Sequence, residues 1–179
     1  MKGAPKLVRQ QQVPGDLESV FAFFRAPDNL EALMPPCLRF RVVSMSADEI
    51  CLGSQIDDKL SLRGRPLRWR SEGLGWNPPF EFVDLQLRGP YRTWHHRHCF
   101  RAEDDGVLVT DEIDYTVLSE ARWLAPLENL VNALFVRRDV ARIFAYRAER
   151  MGTFFPGAGP GVDPRQAQEA NPSAPQGTP

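Results

Sequence analysis

Trp94, His96, His98 and Phe100 stand two residues apart. In a strand, side chains at that spacing share one face. Val109, Asp111, Ile113, Tyr115 and Val117 repeat the spacing, and Asp104-Asp105-Gly106 between the two sets has the composition of a hairpin turn. A short turn there puts both sets on one face, with Asp111 beside His98 or Phe100 and Tyr115 beside Trp94 or His96. The apolar members mark that face as buried, so its two imidazoles and its carboxylate need partners. Three chemistries fit. Asp111 can accept from an imidazole and fix its tautomer in a structural network. The polar groups can recognise a ligand in an otherwise apolar pocket. Or they can serve catalysis or bind a metal, since two histidines at this spacing can chelate. Beyond Asp111 no third strong ligand is apparent and no Cys or Glu cluster joins them. The expectation is therefore no bound metal. His95 has the opposite parity and is expected in solvent.

Other residues are weighed in the same way. Trp69 lies between Arg68 and Arg70 and faces inward if they face water; with Trp76 it is a candidate for pocket or core. Phe144 and Leu134 face the sheet by helical periodicity. Asp84 and Gln86 share a strand face with Phe82, and the turn beyond them leaves open which face that is. Acid–base chemistry at Asp84 would need a second buried acid beside it, and the sequence places none. Arg137, Arg138, Arg142, Arg147 and Arg150 read as a solvated outer helix face pairing with Asp139 and Glu149. Arg63, Arg65, Arg68 and Arg70 form a second such cluster. There is no Gly-rich phosphate loop, nucleophile elbow or HExxH.

The elements that must position these residues follow from pattern. Leu7 to Val13 reads as a strand broken by Pro14-Gly15. Asp16 can cap a helix whose Leu17, Val20, Phe21 and Phe24 share one face. Leu30 to Met34 reads as a second short helix, stopped by Pro35-Pro36. Strands are expected around Phe40 to Ser44, Gly53 to Leu62, Leu67 to Glu72, Phe80 to Arg88, Tyr91 to Arg101 and Val107 to Leu118. Gln55, Asp57 and Lys59 alternate with Ile56 and Leu60. Leu124 to Met151 predicts a helix of about seven turns, with Pro126 near its start. Turn-linked strands are antiparallel, and the only long element that can cover one sheet face is the final helix. The fold class is α+β: a curved antiparallel sheet of six to seven strands wrapped around a long C-terminal helix.

The 179 residues suit one domain, and the formal charge of −1 removes the basic excess that nucleic-acid binding needs. Cys37, Cys51 and Cys99 are an odd number outside any CxxC pair, which reads as free buried thiols in a reducing compartment. No apolar stretch reaches the length of a membrane span, and a cytoplasmic location is expected. From Pro156 the chain is rich in Pro, Gly, Ala and Gln without apolar periodicity. It reads as a disordered tail, 156–179, after a domain of residues 1–155.

The sequence also resembles the SRPBCC (START-like) superfamily, in particular its polyketide cyclase/dehydrase and coenzyme Q-binding-like members. The resemblance rests on Val20-Phe21-Ala22-Phe23-Phe24, Asn29-Leu30, Pro35-Pro36, Arg65-Pro66-Leu67-Arg68-Trp69-Arg70 and Phe82-Val83-Asp84. It continues through Gly89-Pro90-Tyr91, Trp94, His96, His98 and Phe100, then Asp111, Ile113, Tyr115, Val136-Arg137-Arg138 and Ile143-Phe144-Ala145-Tyr146-Arg147. It spans roughly residues 7 to 151. Ser119-Glu120-Ala121-Arg122 departs from the Pro-Gly-like lead into the last helix that such proteins often have. The resemblance implies a helix-grip fold with a ligand cavity and no obligatory cofactor. The expected function is binding of a lipid, isoprenoid or polyketide-like molecule, with Trp69, Trp94, His96, His98, Phe100, Asp111, Tyr115 and Phe144 as the ligand-binding residues. The alternatives are a cyclase or dehydratase using His96 or His98 with Asp111 as orienter, or a regulatory domain acting with an epimerase-like partner. The lack of a placed acid–base pair favours binding.

Overall fold

The computed structural model describes residues 6–62, 64–116 and 136–162. Strand β1 (Lys6–Val13) leads to helix α1 (Leu17–Arg25), helix α2 (Pro27–Ala32) and a single 3-10 turn (Pro36–Leu38). Strands β2 (Arg41–Met45), β3 (Gln55–Leu62), β4 (Arg65–Asn77), β5 (Glu81–Arg88), β6 (Thr93–Glu103) and β7 (Gly106–Thr116) follow, and helix α3 (Arg137–Phe154) packs on them. The seven strands form one antiparallel sheet in the order β1-β7-β6-β5-β4-β3-β2. Chain order is thus kept across the sheet except that β1 closes against β7.

Local chemistry sets the boundaries. Asp16 caps α1 by accepting from the Ser19 amide at 2.9 Å, so Val20, Phe21 and Phe24 enter the core on one face. The second helix starts at Pro27, earlier than the expected Leu30, because proline at the first helical position loses no bond. The β6–β7 turn is short because Gly106 takes a φ of +134° and its α-carbon lies against the Val13 carbonyl; a side chain there would collide with that strand. The helix expected from Leu124 is described only from Arg137. Leu134, Val117, Arg63 and the Ser119–Arg122 segment fall outside the described residues.

Two apolar clusters fill the space between sheet and helices. One gathers Phe21, Phe24, Phe82, Phe100, Val109 and Met151 around the α1 end; Phe21 meets Trp76, Phe82 and Phe100 edge-on at 5.3–5.9 Å. The other gathers Leu7, Ile113, Tyr115, Val136, Val140 and Phe144. On α3, Val140, Phe144, Arg147 and Met151 make one buried stripe at helical spacing. No helix among the described residues is long and apolar enough to cross a membrane.

The expected tail requires a correction. Residues after Pro156 dock on the open edge of β1: Val162 and Gln10 exchange backbone bonds of 2.8 and 2.9 Å, and the Gly159 amide donates to Gln12 at 2.8 Å. Gln11 Nε2 donates to the Gly159 carbonyl at 2.8 Å, and Ala158 packs on the core. The segment needs no apolar stripe, because an unpaired strand edge supplies the partners its backbone requires. Residues 163–179 lie outside the described residues. Truncation before Pro156 is therefore expected to cost about 2 kcal/mol, or on the order of 5 °C in Tm. A chain ending at Val162 should keep the full-length value in the same thermal melt.

Candidate functional site

The hairpin register brings the sequence-singled residues together. His98 faces Asp111 across β6 and β7, His96 faces Ile113, Trp94 faces Tyr115 and Phe100 faces Val109. On the other side of β6, Asp84 of β5 is opposite His96 and Phe82 is opposite His98. The two imidazoles therefore sit between two carboxylates. His96 Nε2 is hydrogen-bonded to Asp111 Oδ1 at 3.0 Å, and His98 Nε2 to Asp84 Oδ2 at 3.0 Å. The remaining nitrogens complete the crossing: His96 Nδ1 is 3.6 Å from Asp84 Oδ2, and His98 Nδ1 is 2.7 Å from Asp111 Oδ1. That last approach is close but poorly aligned, and His98 Nδ1 has no directed hydrogen bond.

Arg147 completes the cluster from the helix. It is only 9% exposed, its Nη1 is 3.5 Å from Asp111 Oδ1, and its guanidinium lies over the rings of Phe24 and Phe144 at 4.8 and 5.7 Å. The solvated arginine face expected on this helix thus loses Arg147 to the core. Its spacing from Val140, Phe144 and Met151 was the signal. Asp84 and Gln86 take the inner face. Gln86 donates to the Tyr91 carbonyl at 2.6 Å and so holds the β5–β6 turn, while Phe82 stacks on His98 at 4.2 Å.

The electrostatics follow from burial against charge. Burial pushes the Asp111 carboxyl up, but Arg147 and the two imidazoles outweigh it and hold it well below the ordinary value. Asp84 is half-buried, and His96, His98 and Arg147 together keep it low. The histidines separate. Burial and the neighbouring His98 lower His96, whereas at His98 the penalty of burial is overcome by Asp111 and Asp84, which raise it.

A cavity of about 190 Å³ opens between the sheet and α3. Trp69, Trp94, His96, His98 and Phe144 line it, with Asp84 and Arg147. Phe100, Asp111 and Tyr115 share the sheet face but not the wall. Phe100 packs with Phe21 and Phe24, Tyr115 belongs to the second apolar cluster, and Asp111 stands behind the histidines. Trp76 is core against Phe21 and Phe82. Asp111 instead reaches a separate groove of about 350 Å³ beside Gln10 and Gln11 of β1, which Arg147 lines as well.

The cavity also contains Asp58, which the sequence reading passed over. It is 5% exposed, stands opposite Trp69 across β3 and β4, and its Oδ1 has no hydrogen-bond partner. Burial, helped by the negative charges of Asp57, Asp84 and Glu31, raises its pKa to about 7. Asp58 has the parity of Ile56 and Leu60, the apolar phase of its strand.

Comparison with family models and with curated proteins gave no match. Solved structures do match. Protein CV1439 of Chromobacterium violaceum aligns with a TM-score of 0.64 at 10% identity, over 84% of this chain and 97% of that one. Ara h 8.0201 aligns at 0.59 and 10%, over 85% and 97%; ginseng (Panax ginseng) major latex-like protein 151 at 0.52 and 18%, over 78% and 96%. The latter two are Bet v 1-like proteins, members of the START/SRPBCC helix-grip fold. The chain has the helix-grip fold. At these identities the likeness concerns architecture, and the helix-grip cavity is read from this chain's own side chains.

Two measurements probe the site. Arg147→Leu leaves Asp111 buried without its guanidinium and should cost about 3–5 kcal/mol in urea unfolding. Adding Asp111→Asn should recover part of that loss, since the two residues are coupled. Asp58 gives a pH signature. In the unfolded chain it ionises near the ordinary 3.8, whereas the folded chain keeps the proton to about 7. Unfolding between those values releases a proton, so the Asp58 contribution is full below about pH 4, falls as pH rises and levels off above about 7. Asp58→Asn should match wild type in Tm at pH 4 and exceed it at pH 8; parallel curves would contradict the assignment.

Proposed function

We propose that the protein binds a small hydrophobic or amphipathic molecule in the cavity between the sheet and α3. The observation that carries this reading is Asp58: a carboxyl with an unpartnered oxygen in a wall otherwise built largely of apolar and aromatic side chains. A buried polar group without a partner is costly, and a ligand that supplies the partner recovers that cost. In its protonated form Asp58 donates to a carbonyl or hydroxyl oxygen, while Trp69 and Trp94 cover the apolar body. Their rings already meet at 5.4 Å and form one side of the cavity. The sequence resemblance to SRPBCC proteins and the shared fold support a lipid, isoprenoid or polyketide-like ligand.

A second reading is favoured by the pairing of His98 with Asp84 in the same wall at 3.0 Å. Asp84 joins Asp111 as a second acid in contact with the two histidines. A cyclase or dehydratase would use His96 or His98 to move a proton at a bound carbonyl compound, with Asp111 fixing the ring. Binding remains the primary reading because it needs only the cavity, whereas turnover needs a reactive substrate as well.

Native mass spectrometry of the protein from its own host is expected to show a co-purified molecule. Trp69 and Trp94 fluorescence should change when that molecule is added back to stripped protein. Leu60→Trp, which fills the cavity, should weaken binding by at least about tenfold, the loss expected from roughly 1.4 kcal/mol. Equal binding by Leu60→Trp would place the ligand elsewhere.

A further inference from the structure

We infer that Asp84, His96 and His98 form a site for one divalent first-row transition ion, with Asp111 as the outer carboxylate that orients both imidazoles. The absence of a metal was expected because the sequence offered no third strong ligand. The fold supplies one from a different strand: Asp84 of β5 stands beside the two histidines of β6.

The geometry fits. Asp84 Oδ2 is 3.6 Å from His96 Nδ1 and 3.0 Å from His98 Nε2, and the donor atoms of the three residues all lie within 4.8 Å of one another. Around an ion with bonds of about 2.1 Å, tetrahedral donors stand about 3.4 Å apart. The two separations to Asp84 bracket that value. Each histidine also turns its other nitrogen to Asp111, at 3.0 Å for His96 Nε2 and 2.7 Å for His98 Nδ1. For His96 this is the arrangement in which an outer carboxylate takes the ring N–H and leaves the inner lone pair for a cation.

In the structure His98 Nε2 is hydrogen-bonded to Asp84 Oδ2, and His98 Nδ1, 2.7 Å from Asp111 Oδ1, has no directed bond. An ion taking the place of that bridging proton would be met by His96 Nδ1, His98 Nε2 and Asp84 Oδ2, and the His98 N–H would then move to Nδ1, beside Asp111.

Two imidazoles and one carboxylate select zinc, iron or cobalt over magnesium or calcium. The three donors line the cavity and Asp111 does not, so the remaining coordination positions face the cavity. An oxygen or nitrogen donor there would complete the shell. The inference stands apart from the organic-ligand reading, because the ion is tested by itself.

The test uses the untagged full chain, stripped by chelation and checked by circular dichroism. Cobalt(II) is then titrated against visible absorption and tryptophan fluorescence. One equivalent should give saturable d–d bands displaced by zinc, and should quench Trp94, whose ring is 6.4 Å from that of His96. Asp84→Asn should weaken binding by about 100-fold or more, and Asp111→Asn by roughly 10–100-fold. X-ray absorption of the wild-type cobalt form should show two imidazoles, a readout that survives even if a variant fails to fold. The proposal is overturned by three results. One is no binding up to about millimolar cobalt, far above the affinity expected of three converging protein ligands. Another is undiminished binding by folded Asp84→Asn. The third is a thiolate charge-transfer band, which would place the ion at a cysteine.

Discussion

A charge in the middle of an apolar core must be matched where it stands, and in this protein that charge is Arg147. Its guanidinium lies between two phenyl rings and reaches Asp111 at 3.5 Å. Taking both groups from water costs several kcal/mol each before any attraction is counted. The arrangement is tolerable only because Asp111 is also contacted by two imidazoles and those are contacted by Asp84. The outcome is a polar layer through the core, with Phe21, Phe82 and Phe100 on one side and Ile113, Tyr115 and Val140 on the other. The layer fixes more than local geometry. Slipping β7 by one residue against β6 would turn Asp111 to the outside and bring Glu112 or Thr110 in, leaving Arg147 without its counter-ion. The register of the hairpin and the seating of α3 are therefore held by one set of contacts.

The parts of this structure that depend on period and turn chemistry were legible in the residues. The two-residue spacing of Trp94 to Phe100 and of Val109 to Tyr115, joined at Gly106, contains the β6–β7 register, and Asp16 announces α1. What could not be read depends on three strands and a helix meeting. Asp84 was seen but not placed, because its face is set by pairing across the Gly89-Pro90 turn. Arg147 carried two signals, the charge of an outer face and the spacing of an inner one, and burial followed spacing. Asp58 was hidden by its type: in the phase of Ile56 and Leu60 a carboxylate reads as an interruption, when it is a polar group placed in the cavity wall.

The structural neighbours share this architecture at identities of 10–18%. A curved antiparallel sheet closed over a helix needs alternating apolar residues, turns and a striped helix, and many sequences meet those terms. It does not need a carboxylate opposite Trp69, nor two histidines between two aspartates. Those are properties of this chain, and they are where its chemistry is concentrated.

The short stretch that lies along β1 has a meaning for how copies of this protein meet. A terminal strand with free amides and carbonyls is a template on which another chain can extend the sheet. Here the Gln10 amide and carbonyl pair with Val162 of the same molecule, and the Gln12 carbonyl accepts from the Gly159 amide. The opposite margin, β2, is five residues long and interrupted by a bulge between Val42 and Ser44, which spoils it as a template in another way. Each molecule thus carries its own guard along this part of β1.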